Sequence, residues 1–342
     1  MKASMLLGWL AARLGVPEWA VRAVFAPLVY PGLLTFTLLA LFIIWAERKI
    51  AARAQMRVGP YYVSPRLQGA LQMLADGVKF AFQEIIVPVE AEKWSFLFAP
   101  VLAFTIVALA FTVVPGGPGI YGFRTPFSIL IATAIIGLTP ILAVIMGWAA
   151  SNKFAFIGAS REALVSVTGE ATLLASLLAT TMMYGVLDFS EAVEKQMATG
   201  VIGLVANPIA ALLFFIAALL VTDRVPFDLV LGEQEIVQGP YTEYSGLLYA
   251  LVMALDYAKL YVLMLMFTLL FLGGWMPFTS PLLGSIAVLA KTVALMLFTV
   301  FLRAVYGRMR LDQTADMFWS RLFPLALLAF AVSALVRYIY TG

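Results

Sequence analysis

The residues from Thr222 to Gly246 read TDRVPFDLVLGEQEIVQGPYTEYSG, and they set Asp223, Asp228, Glu233, Glu235 and Glu243 against one basic side chain, Arg224. Five carboxylates within 21 residues, directly after the uncharged run NPIAALLFFIAALLV, suit the holding and passing of protons. Acids this crowded resist simultaneous ionisation, so a proton belongs to the group rather than to one residue. Glu233 and Glu235, two positions apart in an apolar neighbourhood, are the pair expected to share one. A solvated loop would also tolerate these charges. Against that, Pro226, Phe227, Leu229, Val230, Leu231, Ile236 and Val237 are interleaved with the acids, and water cannot reach every carboxylate without wetting them too. The segment is therefore expected to fold down into a protein-lined cavity at membrane depth, where irregular backbone is allowed.

Other charges sit inside apolar runs, where each costs about 2.5–3.5 kcal/mol on insertion scales and needs a partner, a wet cavity or a function. Glu162, Ser166 and Glu170 recur at four-residue steps and share one helical face. Glu170 lies two turns into its run with no base adjacent in sequence. It is either a protonated carboxyl satisfied by a neighbouring helix or a proton carrier, and the second reading is favoured. Asp256 and Lys259, three apart, can neutralise one another. Lys291 sits in SPLLGSIAVLAKTVALMLFTVFL with no acid nearby in sequence. It is read as a functional charge whose partner comes from another helix: the complement of Glu170 or of the acidic loop, or a relay with its pKa lowered by burial.

The elements that must position these groups are helices in a bilayer. Of 342 residues, 63% are hydrophobic and 12% charged, with a mean hydropathy of +0.98; soluble domains are about half apolar and about a quarter charged. Uncharged runs of spanning length fall near 27–46, 94–115, 127–150, 163–187, 202–222, 245–273, 282–302 and 320–341. The expected fold is an all-α membrane protein, a single polytopic domain over 1–342 with about eight transmembrane helices. The stretch before Pro27 is mildly amphipathic and lacks a small-residue cleavage site, so it does not read as a signal peptide. No internal repeat is visible.

Basic residues concentrate in the connections after the first, third, fifth and seventh candidate helices, including Arg48 to Lys93 and Arg303 to Arg321. By the positive-inside rule those connections, the acidic loop 222–245 among them, are cytoplasmic and both termini lie outside. The outward loops, such as PGGPGIYG and GGWMPFTSP, read as short turns. In the cytoplasmic connection 47–93, Leu67, Leu71, Leu74, Val78, Phe82 and Ile85 recur at three- or four-residue steps opposite Gln68, Gln72, Asp76 and Lys79, the pattern of an interfacial amphipathic helix. The absences exclude chemistry. With no cysteine and no histidine the chain has no disulfide, no thiol nucleophile, no iron–sulfur or His-based haem or zinc ligation, and no Ser-His-Asp triad.

ERKIAARAQMRVGP at 47–60, LQMLADGVKFAFQE, SNKFAFIGASREALVSVTGEATLL, DRVPFDLVLGEQEIVQGPYTEY and LRAVYGRMRLDQTADMFWSRLFPL stand in order over almost the full chain. Together they resemble the motifs of the quinone-chamber membrane subunits of respiratory complex I, the proton-pumping NADH-quinone oxidoreductases, and of their archaeal relatives. The resemblance implies a membrane subunit that forms part of a quinone chamber and an acidic proton path. By matching position it assigns Arg48, Arg57 and Asp76 to the quinone chamber, and Glu170, Arg224, Asp228, Glu233, Glu235 and Glu243 to the path. Val221 and Leu231 stand where the family often carries glutamates, Asp223 being displaced by two, and Val58 and Gly307 depart from its usual lysine and proline. The donor implied is NADH, or F420H2 or ferredoxin. No cofactor is held by this chain; quinone is a substrate, with flavin and iron–sulfur clusters in partner subunits. The implied partners are a peripheral electron-transfer arm, antiporter-like membrane subunits and lipid, with no nucleic acid. The anchor subunits of membrane-bound hydrogenases share the architecture without a quinone, and remain the alternative. A free-standing ion transporter fits poorly with the heavy cytoplasmic loops and missing repeat.

The charge asymmetry generates a direct test. In this naturally cysteine-free chain, Arg57→Cys and Arg308→Cys should react with a membrane-impermeant thiol reagent in inside-out vesicles and not in intact cells. Labelling from outside would invert the topology.

Overall fold

The computed structural model describes residues 17–341, without the side chains of Glu233, Tyr340 and Thr341. Helix α1 (Glu18–Leu28) runs through a short break at Val29–Gly32 into α2 (Leu33–Ala54), so the first span begins earlier than its uncharged run. A connection with a short turn at Pro65–Leu67 leads to α3 (Gln72–Phe82) and then to α4 (Lys93–Val113). The next span is two stacked helices, α5 (Ser128–Gly137) and α6 (Thr139–Ala149), interrupted where Gly137 and Pro140 weaken the helical ladder. Helix α7 (Lys153–Tyr184) follows, then α8 (Phe189–Thr199), the single turn α9 (Gly203–Ala206) and α10 (Pro208–Val221). Beyond the acidic loop, which carries the short α11 (Glu233–Ile236), come α12 (Gly246–Phe271), α13 (Pro281–Val305), α14 (Leu311–Met317), a π turn at Phe318–Leu322, and α15 (Phe323–Thr341).

Seven of these helical stretches are long and apolar enough to cross a membrane, and the chain is an all-α, multi-pass membrane protein. The eighth expected span is α10, an apolar helix of 14 residues. At 1.5 Å per residue it covers about 21 Å of a ~30 Å hydrocarbon core. Its start is fixed by Asn207, whose side-chain oxygen accepts from Ala210 N at 3.1 Å while its amide donates to Ser333 Oγ at 2.7 Å. A helix this short survives at membrane depth because protein surrounds it: α10 packs between α7, α12 and α15. Helix α12 is the axis of the molecule, contacting α2, α3, α4, α8, α10 and α13.

Two expectations need correcting. The connection after α7, expected as a short turn, contains the eleven-residue α8. Its hydrophobic face is short, and the periodicity is diluted by Glu191, Glu194 and Lys195. Around the amphipathic segment, the helix is not continuous from Ser64: Gln68 and Gly69 take left-handed φ of 52° and 77° and split it. A Cβ at Gly69 would lie 2.4 Å from the Pro60 carbonyl, so the chain crosses itself where only glycine fits. The remaining helix α3 turns Met73 inward and leaves Leu74, Val78 and Phe82 on its outer surface, the apolar side such an interfacial helix offers to lipid.

Lys291 also sits differently from expectation. Its Nζ donates to the carbonyls of Leu272, Gly274 and Met276 at 2.8, 2.8 and 2.9 Å. A lone ammonium thus satisfies the orphan carbonyls beyond the C-terminus of α12 and complements the helix dipole there. Its partners are main-chain oxygens rather than an acid, and they lie at the end of α12 opposite the acidic loop. Lys291→Met should therefore leave turnover per assembled complex unchanged while lowering stability by about 1–3 kcal/mol, read as an earlier thermal unfolding in detergent.

Candidate functional site

The acidic loop is placed by the way α10 ends. Asp223 adopts a left-handed φ of 51°, a conformation that aspartate tolerates better than most residues. Asp223 N bonds Leu220 O at 3.2 Å and Arg224 N bonds Leu219 O at 3.0 Å, closing the helix as a left-handed cap does. The reversal sends the Asp223 and Arg224 side chains to different partners. Further on, Gly239 takes a φ of +53°, and the loop presses onto α7 at Gly158; a Cβ on Gly158 would lie 2.5 Å from Gly239 Cα. Phe227 meets Phe318 of the π turn edge-on, their ring centroids 5.5 Å apart.

Between the loop, the end of α2, the middle of α12 and the end of α13 lies a cavity of about 160 Å³. Its walls include Val225, Leu231, Tyr249 and Met253, and its polar lining includes Glu47, Asp223, Arg224, Asp228, Tyr241, Asp256, Tyr257 and Arg303. Glu47, only 4% exposed, is the centre of this lining. One Arg224 Nη reaches both of its oxygens at 3.2 Å, Arg303 donates to it as well, and Tyr257 OH donates to Oε2 at 2.6 Å. The Arg224 guanidinium also stacks over the Tyr257 ring, 4.2 Å from its centroid. Burial pulls the Arg224 pKa down, but the Glu47 carboxylate outweighs it and holds the guanidinium charged. Two arginines around one carboxylate leave this end of the cavity net positive.

Behind Asp223 and Asp256 of the same lining, Lys259 Nζ lies 3.4 Å from Asp256 and 3.8 Å from Asp223. Burial, together with the negative charge of Glu162, raises the Asp223 carboxyl well above the usual range despite Lys259. Tyr241, 2% exposed, is raised by burial and then by Asp256, and its hydroxyl has no hydrogen-bond partner.

Of the residues singled out from sequence, Arg224 and Asp228 line this cavity. Glu170 lies deeper on α7 against Gly137 at the α5–α6 break, with one carboxyl oxygen buried and without a partner. Glu243 accepts from the Asn152 amide at the start of α7. The Glu233 side chain lies outside what is described. Glu235 is not in a dry pocket with it. Its carboxylate is 51% exposed and bridges Arg161 at 2.6 Å and Arg308 at 3.7 Å. Arg161, through its hydrogen bond and then, after a small burial penalty, with Arg308, holds Glu235 below the ordinary glutamate value. Arg48 and Asp76 pair at 2.6 Å, tying α2 to α3, with Gln72 donating to Asp76 at 2.8 Å. Arg57 is exposed and bonds Gln55 at 2.8 Å. Arg48, Asp76 and Arg57 do not line the cavity. Its centre, Glu47 with Tyr257 and Arg303, was not singled out. The one signal was that Glu47 opens the ERK triplet at the end of an uncharged run.

The family profile described as NADH dehydrogenase matches residues 29–334. The chain belongs to that family. It is also 35% identical over 338 residues, 95% of both chains, to the H subunit of the NADH-quinone oxidoreductase of Carboxydothermus hydrogenoformans. The family's match runs from the start of α2 to the middle of α15 and so contains every cavity residue described above.

Glu235 gives this site a pH signature. A carboxylate whose folded pKa is lowered contributes its tether above the unfolded value, and loses it as pH falls through the folded one. Contacts from Glu235 to Arg161 and Arg308 should hold at neutral pH and fail only as pH falls below the ordinary glutamate value. Glu235→Gln should loosen residues 232–238 by less than about 1 kcal/mol, as expected for an exposed pair. Amide exchange of that segment would show it as up to about a fivefold acceleration at neutral pH, and no change at all would remove the tether.

Proposed function

We propose that the chain is the membrane subunit of a quinone oxidoreductase, forming part of its quinone chamber and coupling reduction there to proton movement. The observation that carries this reading is the Glu47 cluster: a cavity with a net positive floor and apolar walls, in a chain 35% identical to a subunit of an NADH-quinone oxidoreductase. Quinone reduction takes two electrons and two protons and passes through negatively charged states. Arg224 and Arg303 stabilise such charge electrostatically because both are already fixed on Glu47 when it arrives, Arg224 largely buried and Arg303 at the exposed rim. Glu47 keeps both arginines in place beforehand, and Tyr257, bonded to Glu47, offers a proton route between the headgroup and the carboxylate.

Electrons reach the quinone from another subunit, since this chain has neither cysteine nor histidine to hold a cluster. The basic end of the molecule, with exposed Arg53, Arg57 and Arg66, faces the cytoplasm and receives the peripheral arm. Asp223, Asp256, Glu162 and Glu170 then lead from the cavity along α12 and α7 into the membrane, towards the ion-carrying subunits. Asp228 and Glu243 belong to the mouth of that route, and Glu235 holds its lip closed.

Tyr257→Phe keeps the ring under Arg224 and removes only the hydroxyl. In the assembled complex reconstituted in liposomes, quinone-linked turnover and proton flux should both fall about 10–100-fold, the worth of a hydrogen bond to a charged group. Electron transfer from the donor to a water-soluble acceptor should survive. Undiminished quinone turnover would move the reaction away from this cavity. A purified complex that contains no quinone and reduces protons instead would establish the hydrogenase-type anchor.

A further inference from the structure

Lys259 is the most completely buried cation in the described chain, at 1% exposure, and the quinone chemistry at Glu47 makes no use of it. It belongs to α12, behind Asp223 and Asp256 of the cavity lining. Adjacent residues take different nearest partners: Tyr257 reaches Glu47 at 2.6 Å, while Asp256 reaches Lys259 at 3.4 Å. Asp223, from the turn after α10, approaches the same ammonium at 3.8 Å, and Glu162 of α7 is close enough for its charge to act on Lys259, Asp223 and Asp256. Asp223, Asp256 and Glu162 are 8, 6 and 3% exposed. Glu170 on α7, Asp228 in the loop, the Tyr241 hydroxyl and Arg224, whose charge acts on Asp256 from the Glu47 side, are the other titratable and charged groups facing this cluster.

The charge count is unequal. One ammonium faces three buried carboxylates, the nearby Arg224 being already paired with Glu47, and a buried ion without a counter-ion is expensive. The surplus is removed by protonation, and Asp223 Oδ1, buried without a hydrogen-bond partner, is a place where a shared proton can rest. A structural ion pair would match one base to one acid. Here the ammonium stands 3.4 and 3.8 Å from two acids, a compact point charge shared among several neighbours, as lysine allows and the fixed fork of arginine does not.

We propose that Lys259 is a positioning residue that sets how many protons Asp223, Asp256 and Glu162 hold, by fixing a single positive charge at their centre. It thereby determines the proton load that a charge change in the adjacent cavity can release. The consequence for coupling rests on the quinone chamber proposed for the cavity; the setting of protonation by Lys259 does not. Two residues away along α12, the Glu47 group gains negative charge when substrate is reduced, and that charge acts on an already poised set of acids.

The test uses the assembled complex with Lys259→Met, which keeps length and apolarity but removes the charge, and Lys259→Arg, which keeps it. Infrared spectra of the resting complex report the protonated-carboxyl band across a pH titration. Lys259→Met should enlarge this band at neutral pH and move its titration to more alkaline pH by at least about one unit, given charges under 4 Å apart at intermediate dielectric. In liposomes, protons moved per quinone reduced should fall at pH 7 and depend on pH along the displaced curve. Lys259→Arg should restore both. An unchanged titration in Lys259→Met overturns the proposal, whatever the complex reduces. Absence of quinone turnover in the wild-type complex would instead sink the functional reading, while the infrared result still decides Lys259. If Lys259→Met fails to accumulate, Lys259→Met with Asp256→Asn removes one charge of each sign and should restore assembly. Failure of both would mean that Lys259 acts by shape rather than charge, and the proposal falls.

Discussion

Everything at the functional end of this molecule depends on one buried carboxylate. Glu47 lies where α2 leaves the apolar layer, and an unaccompanied charge there would undo the fold; breaking such a buried pair costs about 3–5 kcal/mol. Its counter-charges come from far along the chain. Arg224 arrives at the end of α10 and Arg303 near the end of α13, 177 and 256 residues away in sequence, with Tyr257 from α12 between them. The need to satisfy Glu47 therefore draws three helices and the acidic loop to one point. The cavity is the space left among them.

The short α10 serves the same end. A full-length span would carry Thr222 to Arg224 beyond the middle of the bundle. Ending after 14 residues and turning sharply at Asp223, the chain delivers an acid and a base to one cavity, Asp223 towards Lys259 and Arg224 towards Glu47. That helix can carry charge because protein encloses it over most of its length: 78% of its most apolar window is buried. A charged residue on an outer helix such as α15 would meet hydrocarbon. The polarity of α12 and the enclosure of α12 are one design feature.

The loop itself is held by contacts of graded strength. Its root, from Asp223 to Asp228, is locked by buried ion pairs and by Phe227 on Phe318. Its tip is tethered by Glu235 to Arg161 of α7 and to Arg308 of the segment after α13. A tether to a half-exposed carboxylate is weak and screened by salt, so the tip is free to rearrange while the root stays fixed.

The sequence alone determined that this is a helical membrane protein, because hydropathy acts on each segment separately and long apolar runs have one solution in a bilayer. It also grouped the basic connections and marked the acidic loop as unusual for its surroundings, since composition is local information. Arg224 and Asp228 were legible on that basis. The sequence did not show that Glu235 lies on the surface, because whether a carboxylate is dry depends on which basic residues approach it, and Arg161 and Arg308 are distant in the chain. For Lys291 it offered an acid partner or a relay with its pKa lowered by burial, and the partners found are main-chain carbonyls, which every residue has and no pattern reveals. Only the tertiary structure decided that Glu47 is the centre, and that Asp256 and Tyr257, neighbours in sequence, take different nearest partners, Lys259 and Glu47. Electrostatic partnership is settled by distance and burial in three dimensions, and neither is written in the order of residues.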